Sequence, residues 1–144
     1  MLISIAIPCY NSSKTLPLVV EEIQQVFSIR PEYEYQILLV NDNSPDNTYE
    51  VIGRLCAQDS NIIGIDLSKN YGQASAQMAA IQYAKGDIVV YMDDDGQHPA
   101  SEIFRLIEKI QEGYDLVYAH FAHKKHSFFK RCTSWLNSKI LEAT

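Results

Sequence analysis

Apolar positions along this chain fall into two alternating periods. Leu2–Ile7 is an apolar run of strand length. Leu16, Val19, Val20, Ile23 and Phe27 then recur at helical spacing, behind Ser12 or Ser13 as N-cap. Tyr35–Val40 predicts a second strand. Ser44-Pro45 opens a second helix, with Pro at the first helical position and Val51, Ile52 and Leu55 as its inner face. Ile62–Leu67 predicts a third strand, and the Ala-rich Ser75–Ala84 a helix able to pack closely on a sheet. Asp87–Met92 predicts a fourth strand. Ile103, Leu106, Ile107 and Ile110 mark a helix after Pro99 that Gly113 ends, and Leu116–Ala119 a short fifth strand. This order of elements predicts an α/β fold: a mainly parallel, Rossmann-like sheet with helices on both faces.

At 144 residues there is room for one domain. No stretch approaches 18 apolar residues, so no membrane-spanning helix is predicted, and the N-terminus reads as a first strand rather than a signal peptide. Cys9, Cys56 and Cys132 are widely spaced, odd in number and without metal-ligand spacing, the pattern of reduced thiols in a cytoplasmic protein. The net charge of −6 is unevenly spread: residues 1–115 carry 7 Lys/Arg against 17 Asp/Glu, residues 116–144 carry 5 against 1. Two parts are therefore expected, an α/β domain over 1–119 and a basic segment over 120–144. Within the second, Phe128, Phe129, Cys132, Trp135, Leu136 and Ile140 share one helical side, away from Lys130, Arg131 and Lys139. Such a face suits either a membrane interface or packing on the sheet or on further chain. No nucleic-acid partner is expected, and the oligomeric state is left open.

The candidate chemistry lies where strands end. In doubly wound sheets ligands bind at the carboxyl ends of the strands, near the switch in strand order. Four exits are polar: Pro8-Cys9-Tyr10-Asn11, Asn41-Asp42-Asn43-Ser44, Ser68-Lys69-Asn70-Tyr71-Gly72, and Asp93-Asp94-Asp95-Gly96-Gln97-His98-Pro99. The last follows Ile88–Met92, a β-branched run that reads as a strand buried on both faces. Carboxylates at strand spacing, ~6.6 Å apart, repel by roughly 2–3 kcal/mol at an effective dielectric near 20. Strand alternation puts Asp93, Asp95 and, if it persists, Gln97 on one side, as oxygen ligands suited to Mg2+ or Mn2+, and Asp94 on the other. The competing reading is an acidic turn leading into the next helix. Neither a dinucleotide fingerprint nor a P-loop follows strand one, so a metal becomes the phosphate clamp, with Lys69 as a second cation and Asp42 suited to the N–H of a base.

These motifs, from Ile7-Pro8-Cys9-Tyr10-Asn11 through Val40–Thr48 and Asn70-Tyr71-Gly72-Gln73 to Asp93–Pro99, resemble the family-2 inverting glycosyltransferases of GT-A fold. The wording is most similar to the branch that moves sugars onto polyprenyl phosphates. The resemblance implies a sugar transferred from a UDP- or GDP-sugar, with metal-assisted inversion, to a lipid phosphate or, alternatively, to a glycan hydroxyl. Pro8, Tyr10, Asn11, Asp42, Ser44, Lys69 and Asp94 would bind the donor; Asp93, Asp95 and Gln97 would hold Mg2+ or Mn2+. Two readings from other classes stay open: a sugar nucleotidyltransferase, and a non-enzymatic receiver-like domain. The resemblance also implies an acceptor part beyond this chain and a whole protein at the cytoplasmic face of a membrane, with the 144 residues binding donor but not completing transfer alone.

Departures fall at three places. Gly96 replaces the usual Leu, Asn43 a frequent Gly, and Ala119-His120-Phe121 a Gly-x-Arg pattern, for which Lys124 or Lys125 would have to substitute. A lipid phosphate needs no general base, since it already carries about −1.5 to −2 charges at neutral pH. Between Leu116 and Leu141 there is no acid and there are five Lys/Arg, a stretch that attracts phosphate and supplies no carboxylate base.

Overall fold

The structure is a computed structural model that describes residues 1–119; the basic segment 120–144 expected from the sequence lies outside the described residues. Four parallel strands, β1 (Leu2–Cys9), β2 (Glu34–Asn41), β3 (Ile62–Asp66) and β4 (Ile88–Tyr91), lie in the order β3-β2-β1-β4. Helices α1 (Leu16–Ser28), α2 (Thr48–Gln58), α3 (Gln73–Tyr83) and α4 (Glu102–Gln111) separate or follow them. The chain winds outward from β1 to β3, then crosses back to place β4 on the other side of β1. Right-handed crossovers in opposite directions put their helices on opposite faces. The larger core accordingly joins α1, α2 and α4 to Ile3, Ile5, Ile7, Ile37 and Leu39. The smaller one seats Ala76 and Ala80 of α3 on Ala6, Leu38 and Val40. The alanines let α3 lie close to the sheet, as its composition predicts.

The crossover into β4 is pinned by a buried polar cluster. Ser4 Oγ donates to Gln36 Oε1 at 2.8 Å and accepts the Gly86 N–H at 2.9 Å, while Gln36 also accepts the Lys85 N–H. Both side chains are buried in the sheet face, so each bond answers a group that water cannot reach.

Several expected boundaries are corrected. The α1 helix begins after Thr15, not at Ser12 or Ser13, because the Ser12 carbonyl closes a preceding turn by accepting the N–H of Thr15 and Leu16. Ser44-Pro45 lies before α2, whose first turn is capped instead by the Asp46 carboxylate, which accepts the Thr48 N–H at 3.1 Å. The third helix starts two residues earlier than Ser75. The fourth ends as expected: Gly113 takes φ +105 and returns its N–H to Ile110.

Among the described residues there is no fifth strand. Residues 115–119 run beside β4 and α4 and bound with them a groove of about 620 Å³, without ladder pairing. Leu116 and Tyr118 stand exposed, so this run has no buried side to fix its register. Nor is β4 buried on both faces. Val90 and Met92 face the larger core, but α3 packs over β1 and β2 and leaves Tyr91 exposed.

Candidate active site

The switch in strand order falls between β1 and β4, and the four polar exits meet on the rim beside it. Each exit is hydrogen-bonded to another. Pro8 lies inside β1, where its missing N–H would face β4; that pairing has already ended at Ala6–Tyr91, so no ladder bond is lost. Cys9 forms the floor, wholly buried, and burial pushes its thiol pKa far up, with the charge of Asp94 adding to the effect. Tyr10 is 48% exposed on the rim. Asn11 follows at φ +56, a left-handed conformation that Asn tolerates, and its N–H donates to Ser44 Oγ at 3.2 Å.

At the exit of β2, Asn41 donates to Asp66 Oδ1 at 2.7 Å and accepts the Ser44 N–H, joining β2 to β3. Asp42 is only 4% exposed. Its Oδ1 accepts the Tyr71 N–H at 2.7 Å and its Oδ2 the Gly72 N–H at 2.8 Å. A carboxylate offers about four acceptor positions, so two remain open to a further donor. Asn43 has φ +53, a left-handed conformation that Asn and Gly adopt more readily than other residues. Lys69 lies over the Tyr71 ring, 5.1 Å from its centroid, at the exit of β3.

The acidic triplet does not continue β4. The strand ends at Tyr91, so the alternation expected for Asp93, Asp95 and Gln97 has no strand to carry it. Each carboxylate has its own surroundings. Asp93 accepts from Gln73 Nε2 at 3.2 Å, and His98 Nε2 stands 3.7 Å from its other oxygen. Asp94 turns toward β1, accepting the Tyr10 N–H at 3.1 Å and the Ser12 hydroxyl. Asp95 accepts the N–H of Gln97 at 3.0 Å across a tight turn in which Gly96 has φ +68. Glu22 of α1 accepts the Ala100 N–H and so anchors the far end of this loop.

Among the described residues no Lys or Arg forms an ion pair with the triplet, and no three His, Cys, Asp or Glu side chains are grouped to enclose a metal. Mg2+ and Mn2+ take one or two carboxylates and complete their shell with water and substrate phosphates, and Asp93 and Asp95 could supply such oxygens.

Sequence reasoning passed over Ser12, Thr48, Asp46, Gln73 and Glu22. From the sequence Ser12 reads as a helix cap, and Gln73 lies in a motif that gives it no role. Three of them, Ser12, Thr48 and Asp46, form a continuous line. Ser12 N–H donates to Thr48 Oγ1 at 2.9 Å, Thr48 Oγ1 donates to Asp46 Oδ1 at 2.6 Å, and Asp46 Oδ2 accepts the Ser13 N–H. The hydroxyl of Thr48, then Ser13, holds the Asp46 pKa down at about 2.

Comparison with known proteins places the family and the fold. The pattern of Glycosyl transferase family 2 matches residues 4–140. Undecaprenyl-phosphate 4-deoxy-4-formamido-L-arabinose transferase of Yersinia enterocolitica is 38% identical over 144 residues, covering 99% of this chain and 44% of the relative. The chain thus spans less than half the length of that relative. Among solved structures, the mannosyltransferase PcManGT from Pyrobaculum calidifontis, in complex with GDP-Man and Mn2+, superposes with a TM-score of 0.60 at 23% identity, over 72% of this chain and 30% of that one. S. aureus TarS in complex with UDP gives 0.56 at 19% identity, over 85% and 40%. These share the GT-A fold with the chain. The chain belongs to glycosyl transferase family 2, which sets aside the nucleotidyltransferase and receiver readings.

Proposed function

We propose that this family-2 chain is the donor-binding part of a transferase that moves a sugar from a UDP- or GDP-sugar to a polyprenyl phosphate with inversion. The observation that carries the reading is the rim itself. Four strand exits are tied together beside the strand-order switch, and the triplet among them has no Lys or Arg counter-ion in the described residues. The relative's name supplies the acceptor class, and the like-folded mannosyltransferase, with its GDP-Man and Mn2+, supports a divalent ion.

In this reading Asp93 and Asp95 hold Mg2+ or Mn2+, with Gln97 as a further oxygen ligand. When bound, such an ion offsets the charge that builds on the departing nucleoside diphosphate. Pro8, Tyr10, Asn11 and Ser44 line the nucleotide, Asp42 accepts from the base, and Lys69 offers a second cation to the phosphates. The acceptor phosphate is already anionic at neutral pH and needs no base from the protein. In this reading the acceptor lies in a membrane, and the whole protein works at its cytoplasmic face. No helix among the described residues is long and apolar enough to cross one.

Calorimetric titration with UDP and GDP, with and without Mn2+, tests the reading. One nucleotide should bind only with the ion, and Asp95→Ala should weaken that binding at least tenfold while the thermal melt of the protein holds. Equal affinity of Asp95→Ala and wild type, or binding indifferent to Mn2+, overturns the metal-dependent donor site.

A further inference from the structure

We propose that Asp94 is a positioning residue that holds the β1 exit loop in its nucleotide-binding conformation rather than touching the donor. This rests on the donor-site reading above. The three aspartates are adjacent in sequence yet bonded in different directions. Asp93 meets Gln73 and His98, and Asp95 meets its own turn. Both hydrogen bonds found for Asp94 lie instead on the Tyr10–Ser12 segment of the neighbouring strand exit, to the Tyr10 N–H and the Ser12 hydroxyl.

Ser12 is 2% exposed and Thr48 wholly buried, so the bond between them is shielded from water. Through them Asp94 is the β4 end of a line that runs Ser12, Thr48, Asp46 and back to Ser13. Tyr10 and Asn11 ride on the backbone that this line secures. Asn11 is in the left-handed region, which a free loop adopts rarely, and apart from the bond to Ser44 the restraint on this corner comes from Asp94 and Ser12. A charged acceptor shared by two donors is stronger than a neutral one. That is the physical reason for an aspartate here, within a cluster where its charge is otherwise unwelcome.

The test compares wild type, Asp94→Asn, Asp94→Ala, Ser12→Ala and the double variant Asp94→Ala/Ser12→Ala. Two readouts are taken: hydrogen exchange at the Tyr10 amide, and calorimetry of UDP, GDP and pyrophosphate with Mn2+. In Asp94→Ala the Tyr10 amide should exchange faster and nucleotide affinity fall about tenfold or more, the loss of a hydrogen bond to a charged group. Pyrophosphate should bind within about twofold of wild type. Asp94→Asn keeps an acceptor oxygen and should recover most of the loss. The double variant should lose no more than Asp94→Ala alone, because the bond cut in Ser12→Ala is one of the two already lost in Asp94→Ala.

Unchanged Tyr10 exchange in Asp94→Ala would overturn the proposal, as would additive losses in the double variant. Equal losses in Asp94→Asn and Asp94→Ala together with weaker pyrophosphate binding would put Asp94 on the ion or the donor directly, and overturn it too. If wild type binds neither nucleotide with Mn2+, the donor-site reading falls, and the exchange at Tyr10 still decides the tether. Should Asp94→Ala not fold, Ser12→Ala and Asp94→Asn carry the same comparisons.

Discussion

Asp42 clasps Gly72: its Oδ2 accepts the Gly72 N–H at 2.8 Å, and its Oδ1 accepts the preceding N–H of Tyr71 at 2.7 Å. A buried carboxylate at the end of β2 thereby sets the entry into α3. Gly72 sits there at φ +88, and α3 in turn carries Gln73 to Asp93. The clasp links the expected base-reading residue to the expected metal-binding one through a single loop.

Asp42→Ala should therefore act twice. Two backbone N–H groups lose a charged acceptor, costing about 1.5–3 kcal/mol of stability at each if water does not replace it. Nucleotide affinity should fall tenfold or more, with pyrophosphate–Mn2+ binding nearly unchanged. Denaturant melts and calorimetry measure the two effects separately. An equal fall in pyrophosphate affinity would remove the base-reading role.

Gly86→Ala should destabilise the fold by about 1–3 kcal/mol, the usual range for an overpacked site. An added Cβ would stand 2.5 Å from the Ser4 nitrogen and 2.9 Å from the Leu2 oxygen, both backbone atoms of a central strand that cannot step aside. A lowered denaturation midpoint with an unchanged slope would show loss of stability alone.

The line through Asp46 makes a pH-dependent contribution. Its pKa of about 2 lies below the usual 3.8, so the folded state favours the charged carboxylate. That stabilisation is fully present above pH 3.8 and is lost as the pH falls toward 2. Melts of wild type and Asp46→Ala between pH 2 and 6 should differ most at the upper end and converge at the lower. Because Asp46 is solvent-accessible, added salt should shrink the difference.

Gly96→Leu restores the residue expected from the family resemblance, yet it should cost roughly 1–2 kcal/mol, the strain of a side chain in left-handed backbone. Space is not the obstacle, since a Cβ there would meet Val19 at an ordinary 3.8 Å. A neutral result in chemical denaturation would mean that the turn between Asp95 and Gln97 relaxes to accept the side chain.

The alternating periods were enough to find four strands, four helices and the parallel order, because each element buries one apolar face and leaves its period in the chain. The Ala content of α3 likewise signalled close packing, which Ala76 and Ala80 show. Helix starts were less legible. Ser12, Ser44 and Pro45 carry start signals, but their polar groups are claimed by, or lie in, connections between different strand exits, and local propensity does not encode a partner 33 or 82 residues away. Leu116–Ala119 failed for a related reason: a four-residue apolar run has strand character, but a ladder forms only when a side of it is buried.

The four motifs by themselves determined which residues would gather at the rim, since in a parallel sheet every strand exit points to the same end. What tertiary structure alone decided is the direction of each side chain once the strands have ended. Beyond Tyr91 the backbone no longer alternates, so the order Asp93-Asp94-Asp95 does not specify their directions. Gln73 is brought to the first, Tyr10 and Ser12 to the second, and the Gly96 turn to the third. The crossing of the chain from β3 to the far side of β1 makes those neighbours, because it is what sets the exit of β4 beside that of β1.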